Sequence, residues 1–215
     1  MVGGSRYNGL WATVDRVVKE MHEAKSDKVL VVNTLTKESA IERLLLRLDG
    51  VSKSAKKHGI YLAVSMEPGP LFAIGDWDSL ALFCDKIESS SESIRSNVGL
   101  NLDIPHWAFL SNITIRKVEG NPNVKNRIVH AQISDHNRGH CSDAILGTFH
   151  DSEEYLPWLS LLKKLAANIT IPNKTCLPYS GFISCEHEMA CKTEIITRSV
   201  GKLKRLLSRC KSSDW

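Results

Sequence analysis

The stretch RIVHAQISDHNRGHCSDAILGTFH, residues Arg127–His150, decides how this chain folds. It predicts a strand over residues 127–135, because its apolar residues are mostly β-branched and Asn137-Arg138-Gly139 is typical of a turn. Side chains two positions apart share one face of a strand, which groups His130, Gln132 and Ser134. The strand therefore ends among imidazoles and carboxylates, a typical way to present metal ligands at the edge of a sheet. A polar loop with surface histidines is the alternative interpretation.

Outward from this stretch, strand and helix patterns alternate along the whole chain. Apolar runs of strand length lie near residues 28–33, 60–67, 98–103, 127–135 and 181–188. Helical periodicity is found over residues 10–24, 37–58, 76–87, 152–167 and 193–210, with a Ser-rich loop after the third of these. Residues 107–119 also favour a helix, although their Ile113-Thr114-Ile115 segment is β-branched and equally typical of a strand. Repeated βα units predict an α/β protein with a parallel sheet, and no linker divides it, so we expect one domain over residues 1–215.

Composition and charge exclude several classes of protein. The chain is 42% hydrophobic and 24% charged, which is typical of a globular domain, and the net charge of +4 is too small to argue for nucleic acid. The basic residues of the last helix have no aromatic residues between them, so nucleic acid is not expected as a partner. No apolar run is long enough to span a membrane, and no leader pattern is found, so the sequence predicts a cytoplasmic protein.

Metal-competent side chains stand at the ends of four of the five predicted strands. They are Glu67, Asp103, His130 or Asp135, and Glu186 or Glu188. In β/α barrels the active site is built at the C-terminal ends of the strands, so these side chains are expected to converge. A single acid at a strand end is usually only solvated, but the agreement of four ends favours a shared site. Carboxylates with a histidine suit Mg²⁺, Mn²⁺, Co²⁺ or Zn²⁺.

The chain resembles the xylose isomerase-like β/α-barrel superfamily, which holds sugar and sugar-phosphate isomerases and epimerases, inosose dehydratases and endonuclease IV. The motifs that carry the resemblance are AVSMEPGP (63–70), VGLNLDIPHW (98–107), RIVHAQISDHNRG (127–139), ILG (145–147) and ISCEHE (183–188). Their order and spacing together are fairly specific, and the similarity covers roughly residues 28–211. The resemblance implies a partial barrel, about five of eight βα units, which match the family's fourth to eighth strands.

The resemblance also implies roles for individual residues. Glu67, Asp103 and Glu186 would be metal ligands, and Glu67 and Glu186 would be the catalytic pair that moves protons at carbon. Many family members show His-x-His where this chain has His130-Ala131-Gln132, so either His130 takes over as ligand or Gln132 binds through its amide oxygen. The residues expected to contact substrate are His106, Asp135, His136, Arg138 and Glu188.

The leading functional hypothesis is a divalent-metal-dependent isomerase or epimerase of carbohydrate metabolism, acting on a sugar, sugar phosphate or polyol. The alternative is a non-catalytic or truncated relative that serves as a binding module, which the substitution at Gln132 and the missing strands favour. Abasic-site DNA cleavage of the endonuclease IV type is a third hypothesis, and it lacks the expected histidine set. A complete barrel takes about 250 residues, so the chain is either a fragment or has an open sheet edge that a homo-oligomer would cover.

Overall fold

The computed structural model describes residues 36–69, 72–137, 140–142, 144–167, 177, 179, 181–187 and 192–210. All of these lie within one compact unit, Thr36–Trp215. The helix expected at residues 10–24 and the strand expected at 28–33 lie outside the described residues. The single domain over residues 1–215 and the five-stranded sheet therefore stay predictions.

Four parallel strands form the central sheet of the described unit. The strands in chain order are β1 (Leu62–Ser65), β2 (Val98–Asp103), β3 (Ile128–Ile133), β4 (Asp135–Asn137), β5 (His140–Ser142) and β6 (Ile183–Cys185). The sheet has the order β1-β2-β3-β6, and each neighbouring pair is parallel. Four of the five predicted strands and their parallel arrangement are thereby confirmed. The carboxyl ends of all four strands consequently lie at one edge.

Helices connect the strands, as the sequence predicts. They are α1 (Lys37–Lys57), α2 (Trp77–Glu88), α3 (Glu92–Asn97), a π-helix (Pro105–Leu110), α4 (Ile115–Glu119), α5 (Pro122–Lys125), a 3₁₀ turn (Ser152–Tyr155), α6 (Leu156–Ala167) and α7 (Thr193–Arg209). The start of α1 is fixed by the Thr36 hydroxyl, which accepts a hydrogen bond from the backbone N–H of Ser39. Asp76 and Ser79 form a capping box that starts α2.

The two faces of the sheet differ in chemistry, and this difference creates the site. One face carries Leu100, Leu102 and Ala131, which are fully buried in the hydrophobic core together with Leu80 and Phe83 of α2. The opposite face is polar because side chains alternate along each strand. Its polar residues are Ser65, Asn101, Asp103, His130, Gln132 and Ser184. Burial of the apolar face holds the sheet in place and leaves the polar face available for chemistry.

The structure departs from the sequence prediction in three connections. The Ser-rich segment contains the short helix α3, which is held by burial of Ile94 although its composition is typical of a loop. The helix expected over residues 107–119 is divided, because Asn112 adopts a positive φ of 50° between the π-helix and α4. The predicted strand 127–135 ends at Ile133, and an antiparallel hairpin of β4 and β5 follows. That hairpin was not predicted.

Large apolar side chains are exposed near the two outer strands of the described sheet. Phe182, just before β6, is 74% exposed, and Ile60 and Tyr61, just before β1, are about half exposed. The homo-oligomer predicted to cover an open edge stays a prediction. Among the described helices, none combines the length and the apolar character needed to cross a membrane.

Candidate functional site

The register of the sheet determines which polar side chains are neighbours. Asp103 on β2 lies opposite Gln132 on β3, and Gln132 lies opposite Ser184 on β6. One layer towards the amino ends, Ser65, Asn101 and His130 are aligned in the same way. The candidate site is therefore a row of polar side chains at the carboxyl edge, supported by a second polar row beneath it.

Glu67, Asp103 and His106 form the best-defined cluster of this edge. The ring nitrogen Nδ1 of His106 lies 3.3 Å from a carboxylate oxygen of Asp103 and 3.8 Å from one of Glu67. It also lies 3.2 Å from the carbonyl oxygen of Met66. Three acceptors surround this nitrogen, so a ring hydrogen belongs on Nδ1. Two of the three predicted carboxylate ligands, Glu67 and Asp103, thus contact one imidazole. The predicted contact of His106 with substrate stays a prediction.

Local structure explains how these three residues meet. The π-helix begins directly after β2, which turns His106 back towards Asp103, and the backbone N–H of His106 donates to the Asp103 carboxylate at 3.4 Å. Glu67 follows β1, and its backbone N–H donates to the carbonyl oxygen of Ile74 at 3.1 Å. Asp103 is only 2% exposed, whereas the Glu67 side chain is 45% exposed. One carboxylate is therefore buried and positioned, and the other faces solvent.

Gln132 and Asn101 are joined by a side-chain hydrogen bond. The amide nitrogen Nδ2 of Asn101 donates to the amide oxygen Oε1 of Gln132, and it lies 3.4 Å from the hydroxyl of Ser65. The amide oxygen of Gln132, one of the two neutral metal ligands that the sequence prediction left open, thus accepts a hydrogen bond from a protein donor. Asn101 was missed by the sequence analysis, although alternation along VGLNLD places it on the same face as Asp103.

His130 is the other neutral ligand expected from β3. Its ring nitrogen Nε2 lies 2.8 Å from the hydroxyl oxygen of Ser184 on β6. Burial lowers the pKa of His130 below its ordinary value of 6.5, which favours the neutral imidazole that a metal ion requires. His130 lies one layer below Gln132, further from the carboxyl edge of the sheet. Its role as a metal ligand therefore stays a prediction.

Asp135 is a buried anchor. One carboxylate oxygen accepts from the backbone N–H groups of Thr148 and Phe149 at 2.5 and 2.7 Å. The other accepts from the backbone N–H of His136 at 3.1 Å and from the hydroxyl of Tyr155 at 3.3 Å. Four donors use the hydrogen-bonding capacity of a carboxylate, so these contacts favour a positioning role over the predicted contact with substrate.

His136 lies in a cluster of rings beside that anchor. Its ring centroid lies 4.1 Å from that of His150 and 5.3 Å from that of Phe109, and Phe109 stacks on His150 at 4.5 Å. His136 is 4% exposed, and neither ring nitrogen has a hydrogen-bond partner among the described residues. Burial lowers the pKa of His136, and His150 and His106 lower it further against the opposing effect of Asp135. The ring is therefore held in its neutral form, and its predicted contact with substrate stays a prediction.

The remaining predicted site residues are only partly within the described ranges. The backbone N–H of Glu186 donates to the carbonyl oxygen of Ile133 at 3.0 Å, which places Glu186 just beyond the end of β6 at the same edge. Arg138 and Glu188 lie outside the described residues. The contacts of Phe109 with the rings of His136, His150 and Tyr155 were not predicted, because aromatic residues in helical segments give no signal that distinguishes a site from a core.

The donor set at the edge fits a hard divalent ion in its chemistry. Glu67 and Asp103 supply carboxylate oxygens at neighbouring strand ends, which suit Mg²⁺ or Mn²⁺. Within the described ranges, no three His, Cys, Asp or Glu residues are arranged so that they could hold one ion. Completion of the predicted ligand set would consequently require Glu186 to move towards Glu67 and Asp103, or a ligand outside the described ranges.

The described residues form an α/β fold with a parallel sheet, and Glu67, Asp103 and His106 cluster at the carboxyl edge of that sheet. Among solved structures, the chain is similar to the crystal structure of IolI protein with a binding zinc atom, with a TM-score of 0.55 and 18% sequence identity. The similarity covers 87% of this chain and 61% of that chain, so the chain spans under two thirds of the length of that structure. At this identity the likeness concerns the fold alone, and the partial β/α barrel stays a prediction. No family model and no curated protein sequence matches the chain.

Proposed function

We propose that the protein is a divalent-metal-dependent isomerase or epimerase that acts on a sugar, a sugar phosphate or a polyol. The observation that carries this proposal is the joint contact of Glu67 and Asp103 with Nδ1 of His106 at the carboxyl edge of a parallel sheet. That edge is where α/β folds of this type bind ligands. The fold-level likeness to a protein whose structure holds zinc supports the proposal.

In this proposal Glu67, Asp103 and Glu186 hold the ion together with a neutral ligand from β3. A bound divalent ion would polarise a carbonyl group of the substrate and acidify the neighbouring C–H bond. Glu67 is the residue best suited to take that proton, because its half-exposed carboxylate can reach a ligand while Asp103 is buried. Glu186 would return the proton from the other side. His106 would orient Asp103, because its Nδ1 atom lies 3.3 Å from the Asp103 carboxylate.

Metal binding is the first test. Protein stripped with a chelator is titrated calorimetrically with Mg²⁺, Mn²⁺, Co²⁺ and Zn²⁺, and we expect at least one ion to bind at micromolar affinity. Asp103→Asn should weaken binding at least tenfold, about 1.4 kcal/mol. Glu92→Gln is the matched control, because the Glu92 side chain is 77% exposed and pairs with Lys56 on the helical surface. An equal loss in both variants, or no binding to the parent, would contradict the proposal.

Proton exchange at carbon is the second test. The metal-loaded protein is incubated in D₂O with a panel of ketoses, aldoses, inososes and their phosphates, and deuterium entry next to the carbonyl is followed by NMR. We expect exchange with at least one compound and a loss of at least 100-fold in Glu67→Gln. Exchange that is unchanged in Glu67→Gln would remove Glu67 from the proton-transfer role.

A binding module without catalysis is the second candidate. It is favoured by the hydrogen bond from Asn101 to Gln132, which engages an oxygen that a catalytic metal site would be expected to use. Ligand binding in the calorimeter without any deuterium entry across the panel would favour this candidate over the enzyme.

A further inference from the structure

The side chain of Asn101 meets the amide group of Gln132 from the layer beneath the carboxyl edge. Asn101 is 6% exposed, and its Nδ2 group has two acceptors around it, Oε1 of Gln132 and the hydroxyl of Ser65. Its own oxygen Oδ1 is buried and has no hydrogen-bond partner among the described residues. The amide oxygen of Gln132 is thus engaged on the side away from the carboxyl edge.

The reverse orientation of the two amides is less favourable. If Gln132 donated and Asn101 accepted, the buried and unpaired group of Asn101 would be an NH₂ group with two hydrogens. Orphaned buried N–H groups are rarer in proteins than under-satisfied carbonyl oxygens, because a carbonyl can be left with one idle lone pair at lower cost. Rotating Gln132 alone would bring two NH₂ groups together. The observed orientation is therefore the one that leaves fewer buried donors without an acceptor.

The Gln132 amide nitrogen is then available to a ligand. Gln132 makes no other hydrogen bond among the described residues, and its side chain is only half-buried. In the sheet register it lies between Asp103 and Ser184, next to the carboxylate of the candidate metal site. The carboxylates of Glu67 and Asp103 repel a ligand oxygen that can only accept hydrogen bonds. A neutral donor beside them, such as the Gln132 amide nitrogen, can bind such an oxygen.

We propose that Gln132 is not a metal ligand but a donor that recognises an acceptor oxygen of the ligand, either a carbonyl or a carboxylate oxygen. Asn101 is the positioning residue that fixes this orientation. This inference rests on the proposed function only for the chemical class of the ligand. The orientation of the Gln132 amide does not depend on the proposed function. It also gives a physical reason for glutamine at a position where many members of the resembled family carry a metal-ligating histidine.

The orientation is tested on the metal-free parent protein by NMR of side-chain amides. We expect the Asn101 Nδ2 protons to exchange slowly with water and the Gln132 Nε2 protons to exchange quickly. Addition of glycolate, which offers both carboxylate and hydroxyl oxygens, should shift the Gln132 amide protons. The control is the side-chain amide of Asn123, which donates to Asp85 at 2.8 Å on the protein surface and should not respond to glycolate.

The role in metal binding is tested by calorimetry with Mn²⁺ on the parent, Gln132→Leu and Asp103→Asn. We expect Gln132→Leu to bind Mn²⁺ within twofold of the parent and to bind glycolate at least fivefold more weakly. Asp103→Asn should lose Mn²⁺ affinity at least tenfold.

Each outcome decides a different statement. Three results would overturn the inference. The first is slow exchange of the Gln132 amide protons together with fast exchange of the Asn101 amide protons. The others are Gln132 amide protons that do not respond to glycolate and a tenfold loss of Mn²⁺ affinity in Gln132→Leu. If the parent binds no divalent ion, the proposed function fails, and the exchange rates and glycolate shifts of the metal-free protein still decide the role of Gln132. If Gln132→Leu does not fold, the measurement on the parent protein is the deciding one.

Discussion

Asp135 connects the end of β3 to the segment that carries His150. Its buried carboxylate accepts from the backbone N–H groups of Thr148 and Phe149 and from the hydroxyl of Tyr155. These donors follow Asp135 by more than a dozen residues in the sequence, so this one side chain holds distant parts of the chain together. Loss of its charge should therefore lower the free energy of unfolding of the whole fold.

The first prediction is that Asp135→Asn lowers the free energy of unfolding by about 2–3 kcal/mol, because an NH₂ group would face backbone donors. The matched control is Asp151→Asn, since Asp151 is an exposed cap that accepts from the backbone N–H of Glu153. We expect the control to cost less than about 1 kcal/mol. Urea unfolding of the three proteins measures both values, and equal losses would contradict the anchoring role.

The second prediction concerns the pH dependence of stability. Burial, together with His150 and His106, lowers the pKa of His136 below 6.5, and Asp135 opposes the shift. The unfolded chain therefore binds a proton that the folded chain does not as the pH falls through 6.5. Stability is greatest above that value and is lost on acidification, by at most about 1.4 kcal/mol per pH unit for this one group.

His136→Phe tests this, because phenylalanine keeps a ring against Phe109 and His150 but cannot bind a proton. We expect the loss of stability between pH 7 and pH 5 to become smaller than in the parent, measured by urea unfolding at each pH. The control is His58→Gln, which changes an exposed histidine at the end of α1 and should keep the pH slope of the parent. A parent and a His136→Phe variant with the same pH slope would show that His136 binds its proton equally in both states.

The clustering of Glu67, Asp103 and His106 could be predicted from the sequence, because each stands at or near a strand end and parallel strands bring their ends together. The hydrogen bond from Asn101 to Gln132 and the four donors around Asp135 could not be predicted. Those contacts depend on register and loop paths that no local pattern contains. The sequence shows which polar residues stand near the strand ends. It does not show which neighbouring groups form hydrogen bonds with them.

At the scale of elements, β2 and β3 approach so closely that one position excludes a side chain. A Cβ atom placed on Gly99 would lie 2.5 Å from a methyl group of Val129 and 2.6 Å from the carbonyl oxygen of Arg127. The backbone N–H of Leu100 donates to that same carbonyl at 2.6 Å, so neither strand can move apart without losing this bond.

The third prediction compares two glycine substitutions. Gly99→Ala should destabilise the fold by about 1–3 kcal/mol, because the added methyl overpacks the junction of β2 and β3. Gly50→Ala should stabilise it by roughly 0.5–1 kcal/mol, because Gly50 lies within α1 and has open space around its Cα. Thermal and urea unfolding measure both. A neutral Gly99→Ala would mean that the two strands separate more easily than their contacts indicate.

The helices show why element boundaries are only partly encoded locally. The beginnings of α1 and α2 could be predicted, because Thr36 and Asp76 provide capping groups that act within one turn. The division of residues 107–119 could not, because Trp107 is fully buried and tertiary packing fixes the π-helix and the turn at Asn112. Local chemistry starts a helix, and packing decides where it breaks.

For the whole molecule, the parallel sheet could be predicted from the alternation of strand and helix patterns. The order β1-β2-β3-β6 follows the chain, with each new parallel strand added beside the previous one in the described sheet. What the sequence could not supply is the hairpin of β4 and β5, since the turn signal at residues 137–139 is equally typical of a plain loop. The sheet could be predicted because its pattern repeats along the chain. The hairpin could not, because its short segment is compatible with both a hairpin and a loop.

The last prediction links the site to the stability of the entire fold. A ligand that binds only the folded state stabilises it by about 2.7 kcal/mol when present at 100 times its dissociation constant. For a chain of this size each kcal/mol raises the melting temperature by roughly 2–4 °C, so saturation with Mn²⁺ should raise it by roughly 5–10 °C. Asp103→Asn should remove most of that shift, because the buried carboxylate beside His106 is a proposed ligand of the ion. Glu92→Gln should keep the whole shift, and excess chelator should abolish it in every protein. A shift of the same size in Asp103→Asn would mean that the ion binds elsewhere on the chain. The carboxyl edge of the sheet would then not be the metal site.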